Sequence, residues 1–514
     1  MIQENLTSTL RFLPELGLTA GIMLMFLLDL AWKQHPRRVL FLTIGSLFFL
    51  ALAGVLLAMQ PSAPRLLFNG MIASDPFATF FKWLFLAAAA LTVLIAARST
   101  EFGRHQIGVF YPLLLSIVLG MFLMASAVDL LMMYLAIELV SLVSYAVAGY
   151  RQGDRKAAEA ALKYVIYGGV ASGIMLFGMS YIYGLTGSTS MLGLGKALDG
   201  LAFQATNGAS QTALRVALVV AVIFVLSGVG YKIASVPWHM WCPDVYEGAP
   251  TPFTAFLSVG PKVAGFALAL RFFWSALAGA PLGDGTGAPS AGLSDLPWPA
   301  IIGVLAAVTM TLGNLTAMVQ NNLKRLLAYS SIAHAGYALM GLCAASTVGV
   351  QSVMIYMLVY LVMNLGAFLV VIVVAQATGS ESIDDYKGLG RRHPLSAISF
   401  AIFLFSLTGL PPFAGFTGKW YVFVAVLQNW ALPGGGWYAA LAVIGALNSA
   451  LSLYYYMRIA RAMFLEAPVG EVTVRPPLTY QIMLGAFSVA LLVFGVWWNP
   501  LVDWSQQSLI FLRG

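Results

Sequence analysis

The feature that most constrains this chain is a succession of apolar runs, each of about 20 residues and so long enough to cross a hydrocarbon core of about 30 Å. About fourteen such runs are legible. Their approximate spans are 13-31, 38-58, 77-97, 108-126, 128-149, 157-184, 214-245, 251-273, 297-318, 323-345, 350-377, 394-428, 436-463 and 480-499, with 214-245 and 394-428 broken by proline. In lipid only helices and closed barrels satisfy their own backbone groups, and these runs are too long for barrel strands. The expected fold class is therefore an all-α polytopic membrane protein. Charged residues make up 9% of the chain, against about 25% in soluble domains, which leaves no room for a soluble domain.

Glu4 and Glu15 stand where a secretory signal would carry positive charge, so the first helix is expected to remain. Two cysteines, Cys242 and Cys343, cannot build a disulfide framework. His239 and Cys242 alone do not make a metal site and read as packing and local hydrogen bonding. The net charge of +7 is topological. With loops assigned alternately to two sides, sixteen of the 27 Lys and Arg residues fall on one side, among them Arg37, Arg38, Arg98, Arg151, Lys324 and Arg325. Seven, including Lys82 and Arg271, fall on the other. The positive-inside rule then turns the first side toward the cytoplasm and both termini away from it. A bacterial inner membrane is the expected location.

Four lysines belong to neither side: Lys163, Lys232, Lys262 and Lys419. A charge at a helix centre costs about 2.5–3.5 kcal/mol on insertion scales and usually marks an ion or proton pathway. Snorkelling is the competing account and suits Lys163 and Lys419 better than the more central Lys232 and Lys262. Opposite them Glu138 reads as the one carboxylate deep in a span, on a helix face shared with Tyr134, Ser141 and Tyr145. A structural ion pair would use one lysine and leave three unpaired. Buried, unpaired lysines can exchange protons near neutral pH, because burial disfavours the charged form. Polar stripes recur at Thr254, Ser258 and Lys262, at Ser330, His334 and Tyr337, and at Asn448, Ser452 and Tyr455. Taken together they predict a hydrated seam, with His334 either a relay or a satisfied interior group.

The breaks come as a pair. Pro237 interrupts the seventh span just after Lys232, and Pro411 with Pro412 interrupts the twelfth just before Lys419. An offset of five spans predicts two inverted units, spans 4-8 and 9-13, as in transporters whose broken helices frame a midplane ion site. The expected domains are a three-helix segment at 1-107, a first five-helix repeat at 108-273, a second at 297-463 and a C-terminal helix at 464-514.

The stretches "YKIASVPWHMWCPDVYEGAPTPFTAFLSVGPKVAGF", "LKRLLAYSSIAHAGY" and "GLPPFAGFTGKWYVF" carry a family resemblance. They resemble the antiporter-like proton-channel subunits of respiratory complex I, specifically the subunit N family of NADH-quinone oxidoreductase, which corresponds to mitochondrial NADH dehydrogenase subunit 2. The resemblance runs over nearly the whole chain. It implies a fourteen-helix fold with inverted repeats and proton translocation coupled to quinone reduction elsewhere in a large assembly. It also implies functional roles for Glu138, Lys163, Lys232, Lys262, His334 and Lys419. The expected partners are the other complex I membrane subunits, antiporter-like paralogues and small membrane subunits among them, within the lipid bilayer; no nucleic acid is expected. No cofactor is expected in this chain, since it offers neither paired mid-helix histidines for haem nor cysteines for a cluster. FMN, iron-sulfur clusters and quinone would belong to partner subunits. A subunit of a multisubunit Na+/H+ antiporter remains the alternative, and a structural subunit or uncoupled transporter is disfavoured by the ordered buried charge.

Overall fold

A computed structural model describes residues 2–103, 106–194, 197, 208–277, 296–431, 434–468 and 474–509. The elements in chain order begin with α1 (Ile2–Arg11), α2 (Leu13–Ala31), α3 (Arg38–Ala58) and a hairpin of β1 (Arg65–Leu67) with β2 (Ile72–Ser74). Next come α4 (Pro76–Ala96), α5 (Gln106–Ser126), α6 (Leu130–Ala148), α7 (Arg155–Thr186), α8 (Gly208–Ile233) and α9 (Trp241–Gly248). Then follow α10 (Thr251–Arg271), α11 (Trp298–Met318), α12 (Leu323–Cys343), α13 (Thr347–Thr378) and α14 (Leu389–Arg392). The chain closes with α15 (Pro394–Thr408), α16 (Ala414–Trp430), α17 (Gly436–Leu465), α18 (Leu478–Val496) and α19 (Asn499–Gln507).

Thirteen described helices are long and apolar enough to cross a membrane, and α15 with α16 supplies one further, broken crossing. The spans lie within a few residues of those expected. Within the Gly/Ser-rich connections near 185-213 and 274-296, residues 195-196, 198-207 and 278-295 lie outside the described residues. The antiparallel hairpin, with Leu66 opposite Ala73, and the helices α1 and α19 were not anticipated.

The two breaks share one backbone design. α8 stops at Ile233 because Ala234 turns left-handed, at φ +58°; α15 stops at Thr408 because Gly409 does the same, at φ +88°. In each case a cis-proline follows three residues later, at Pro237 and Pro412. The groups freed by the breaks face protein, as lipid exposure would forbid otherwise. The amide of Val236 donates to Thr309 Oγ1 (3.1 Å) and the Trp241 indole to the Tyr231 carbonyl (3.1 Å). At the second break the Gly415 amide donates to Ser406 Oγ (3.0 Å) and the Ser449 hydroxyl to the Thr408 carbonyl (2.8 Å).

A second recurrence joins the two halves. Each 32-residue helix, α7 and α13, ends in a left-handed glycine, Gly187 or Gly379, inside the sequence Thr-Gly-Ser-X-Ser. The first motif accepts the Leu130 amide at the Thr189 carbonyl (2.8 Å) and the second accepts the Leu323 amide at the Glu381 carbonyl (2.9 Å). Asp129 and Asn322 cap the helices that start there. α6 and α12, the helices these motifs adjoin, are five spans apart in the chain. The interior is built from α10, α12 and α13: every residue of Thr251–Arg271 is buried.

Three buried ion pairs change the charge assignment made from sequence. Lys82 Nζ meets Glu15 Oε1 at 2.6 Å, Arg271 grips both oxygens of Asp75 at 2.6 and 2.5 Å, and Arg38 pairs with Asp29. Glu15, Asp29 and Asp75 are thus buried carboxylates as well, though they stand at the ends of their helices, and Lys82, Arg38 and Arg271 are not solvated charges. Spacing along one helix cannot reveal partners 67 or 196 residues away.

Candidate functional site

Lys232 sits on the last turn of α8, where the break opens the helix end. It is buried, and its ammonium donates to Ser141 Oγ at 2.9 Å. Ser141 can accept because its own proton goes to the Ile137 carbonyl (2.7 Å). Glu138 lies one turn before Ser141 on α6, half-buried, with Oε1 buried and lacking a hydrogen-bond partner among the described residues. No hydrogen bond among the described residues joins Glu138 to Lys232, although Ser141 stands one turn from the first and holds the second. Gly168 lets α7 approach this corner, since a Cβ there would lie 1.8 Å from the Tyr145 hydroxyl.

Lys262 follows Pro261 inside α10, where the proline withholds one helical hydrogen bond. Its ammonium donates to the Ser331 carbonyl at 2.7 Å and also reaches Ser331 Oγ. The Tyr360 hydroxyl donates to the same Ser331 oxygen at 2.8 Å, and Asn364 Nδ2 donates to Ser258 Oγ at 2.6 Å one turn away. The stem of Lys232 packs where a side chain at Gly265 would fall, 3.2 Å from its Cγ, so the two lysines are neighbours. No hydrogen bond among the described residues joins them.

His334, one turn beyond Ser331 on α12, shares hydrogen bonds with the Tyr356 hydroxyl at Nδ1 (2.5 Å) and the Tyr456 hydroxyl at Nε2 (3.3 Å). Tyr456 also meets Ser330 Oγ at 2.5 Å. Lys419 completes the line: it donates to the Thr408 carbonyl at the second break (2.7 Å) and to Ser449 Oγ (2.9 Å), with its ammonium 4.3 Å from the centre of the Tyr337 ring. Lys232, Lys262 and Lys419 are all buried and form no ion pair among the described residues. Neutral groups hold them: hydroxyl and carbonyl oxygens and, for Lys419, the Tyr337 ring as well.

Lys163 differs from the expectation of four lysines at depth. Its side chain is 36% exposed and paired with Glu159 Oε1 and Asp244 Oδ2, both at 2.6 Å. Asp244 also accepts from Arg325 at 2.6 Å, Arg325 reaches Glu247 at 2.9 Å, and Glu247 pairs with Lys156 at 2.8 Å. Beside this cluster a cavity of about 490 Å³ is lined by Glu101, Arg151, Lys156, Glu247 and Glu381. Among the described residues no group of three or more His, Cys, Asp or Glu comes together that could hold a metal.

Sequence reasoning missed the acceptors. Ser331, Ser449, Tyr356, Tyr360 and Tyr456 are residue types too common in membrane helices to be signals by themselves. Asp244 stands in the stretch that carries the resemblance, and the polar residue directly after a helix break was the available clue.

A polytopic helical fold with two proline-broken helices, each beside a buried lysine, defines the class of antiporter-like membrane proteins. The family model described as NADH:quinone oxidoreductase/Mrp antiporter, transmembrane, matches residues 127–447. NADH-quinone oxidoreductase subunit N of Anaeromyxobacter sp. (strain Fw109-5) is 66% identical, over 100% of this chain and 99% of that one. Subunit N 2 of Sorangium cellulosum (strain So ce56) is 45% identical, over 99% of each chain. Among solved structures, a chain of respiratory complex I from Thermus thermophilus superposes with a TM-score of 0.75 at 32% identity, covering 95% of this chain and 98% of that one. A chain of the Mrp complex from Dietzia sp. DQ12-45-1b shares the fold, with a TM-score of 0.78 at 21% identity, over 98% of both chains. The chain belongs to the NADH-quinone oxidoreductase subunit N family.

Proposed function

We propose that this chain is a proton-translocating membrane subunit of NADH-quinone oxidoreductase, moving protons along a buried axis of Glu138, Lys232, Lys262, His334 and Lys419. The carrying observation is that three buried ammonium groups are held by hydroxyls and carbonyls and form no ion pair among the described residues. A purely structural cation at such a cost would be paired, as Lys82 and Arg271 are in the same protein. Groups whose charge is barely compensated switch between charged and neutral forms with little driving energy. Glu138, one turn from the serine that holds Lys232 and free at one oxygen, is the group whose approach or withdrawal biases that switch.

Electron transfer, with its flavin, iron-sulfur clusters and quinone, belongs to partner subunits. The membrane is the bacterial plasma membrane, with both termini on the non-cytoplasmic side. In support, residues assigned to the cytoplasmic loops meet on one face, as Arg151 does with Glu101 (3.7 Å) and Lys156 with Glu247 (2.8 Å). An Mrp-type sodium antiporter subunit is less supported, since that likeness is one of fold at 21% identity.

The test is Glu138→Gln in the assembled complex, scored by quinone reductase activity and proton uptake in vesicles. Assembly is expected to survive, because Glu138 makes no hydrogen bond that packing requires. Coupled turnover is expected to fall by about tenfold or more, the equivalent of about 1.4 kcal/mol of lost bias. Normal pumping by this variant would remove Glu138 from the axis.

A further inference from the structure

We infer that Lys163 acts as a permanent cation, and that with Asp244 and Arg325 it forms an ionic clasp seating the half-helix α9 against the second repeat. This rests on the proton-axis reading above and assigns a different task to a residue that sequence placed among the carriers. The three buried lysines form no ion pair among the described residues, whereas the Lys163 ammonium meets two carboxylates, Glu159 and Asp244, each at 2.6 Å. Asp244 divides its oxygens between two cations: Oδ2 accepts from Lys163 on α7, and Oδ1 from Arg325 on α12. Arg325 is always protonated and performs the same office on the same carboxylate. Charge is what this position uses.

Geometry says what the clasp positions. α9 is eight residues long, follows the first break, and packs against α7 and α12. Its Trp241 indole donates to the carbonyl of Tyr231, the residue before Lys232 (3.1 Å). Cys242 Sγ rests against the Ala328 carbonyl at 4.0 Å, one turn before Ser331, which holds Lys262. The face of α9 bearing Asp244 and Glu247 is ion-paired at the mouth, with Glu247 extending the network to Lys156 (2.8 Å). Wherever the clasp holds α9, it sets the backbone beside Lys232 and the acceptor of Lys262 together. An isolated exposed pair would be worth little, but here one carboxylate bridges two repeats within a network of charges. Asp244, Lys163 and Arg325 are positioning residues.

The experiment compares Lys163→Arg, Lys163→Gln, Asp244→Asn and the double variant Asp244→Asn/Lys163→Gln, each in assembled complex in native-membrane vesicles, by quinone-coupled proton uptake. Lys163→Arg is expected to keep at least about half the coupled rate, and Lys163→Gln and Asp244→Asn each to lose about tenfold. In the double variant the loss is expected to exceed the worse single by no more than about twofold, because both substitutions remove one shared contact. An Arg variant as inactive as the Gln variant, or losses that multiply, would overturn the clasp and return Lys163 to the proton carriers. Should Asp244→Asn fail to assemble, the two substitutions at Lys163 decide between the outcomes. Glu138→Gln in the same vesicles reports on the axis separately: its normal pumping would defeat that reading and leave the Lys163 comparison to be scored by itself.

Discussion

Ser331 is the residue on which the most chemistry converges. Its carbonyl and hydroxyl both receive the Lys262 ammonium, and its hydroxyl also receives Tyr360. Ser331→Ala leaves the carbonyl in place and removes one hydrogen bond to a charged group, worth about 1.5 kcal/mol or more. Coupled turnover is therefore expected to fall roughly tenfold with assembly intact, measured as the rate of NADH-driven proton uptake by vesicles. An unchanged rate would mean that Ser331 only packs. The lysines themselves were legible, because an ammonium in an apolar run is costly wherever it points. What each one touches was not legible: position along the span marks Lys163 as less central than Lys232, but not that one meets two carboxylates and the other a hydroxyl. Glu15 and Asp75 were hidden for the same reason, since a partner across the fold leaves no mark on local spacing.

The broken helices carry the argument at the scale of elements. Gly409 must be left-handed, and a Cβ on it would fall 2.7 Å from the Lys419 stem. Gly409→Val combines backbone strain of about 1–3 kcal/mol with displacement of that lysine. The expected result is less subunit in the membrane and loss of coupled turnover in what assembles, by immunoblot and activity. Gly485→Ala, where no atom lies within 4 Å, is the matched control and is expected to behave as the parent. Wild-type levels and activity in Gly409→Val would refute the account of the second break. The breaks were legible because proline disfavours a helical residue before it. The helix ends themselves, at Ile233 and Thr408, depend on the left-handed residues that follow, and Ala234 gives no warning of that conformation. The Thr-Gly-Ser-X-Ser recurrence lay in plain letters, but its meaning required the matching amides of Leu130 and Leu323.

At the scale of the whole molecule, the most buried helices are α10, α12 and α13, which carry Lys262, His334 and the tyrosines Tyr356 and Tyr360, while α17 and α18 turn large apolar side chains such as Leu447, Ile482 and Val496 outward. Such a surface suits lipid or neighbouring membrane subunits. Mild-detergent purification by a tag on this chain is expected to recover subunits carrying flavin and iron-sulfur clusters; recovery with only other antiporter-type subunits would contradict the assignment to a redox assembly. Composition and span count made the architecture legible, whereas the partners became legible only through the family resemblance. The central claim is that Lys232 must lose and regain its proton. Moving one charge across 100 mV takes about 2.3 kcal/mol, so a carrier needs its charged and neutral forms within that order of energy. Guanidinium stays protonated and cannot meet this condition. The deciding measurement is NADH-driven proton uptake by vesicles containing assembled Lys232→Arg complex: the account predicts that coupled pumping is lost as completely as in Lys232→Ala, and full pumping by the Arg variant would contradict it.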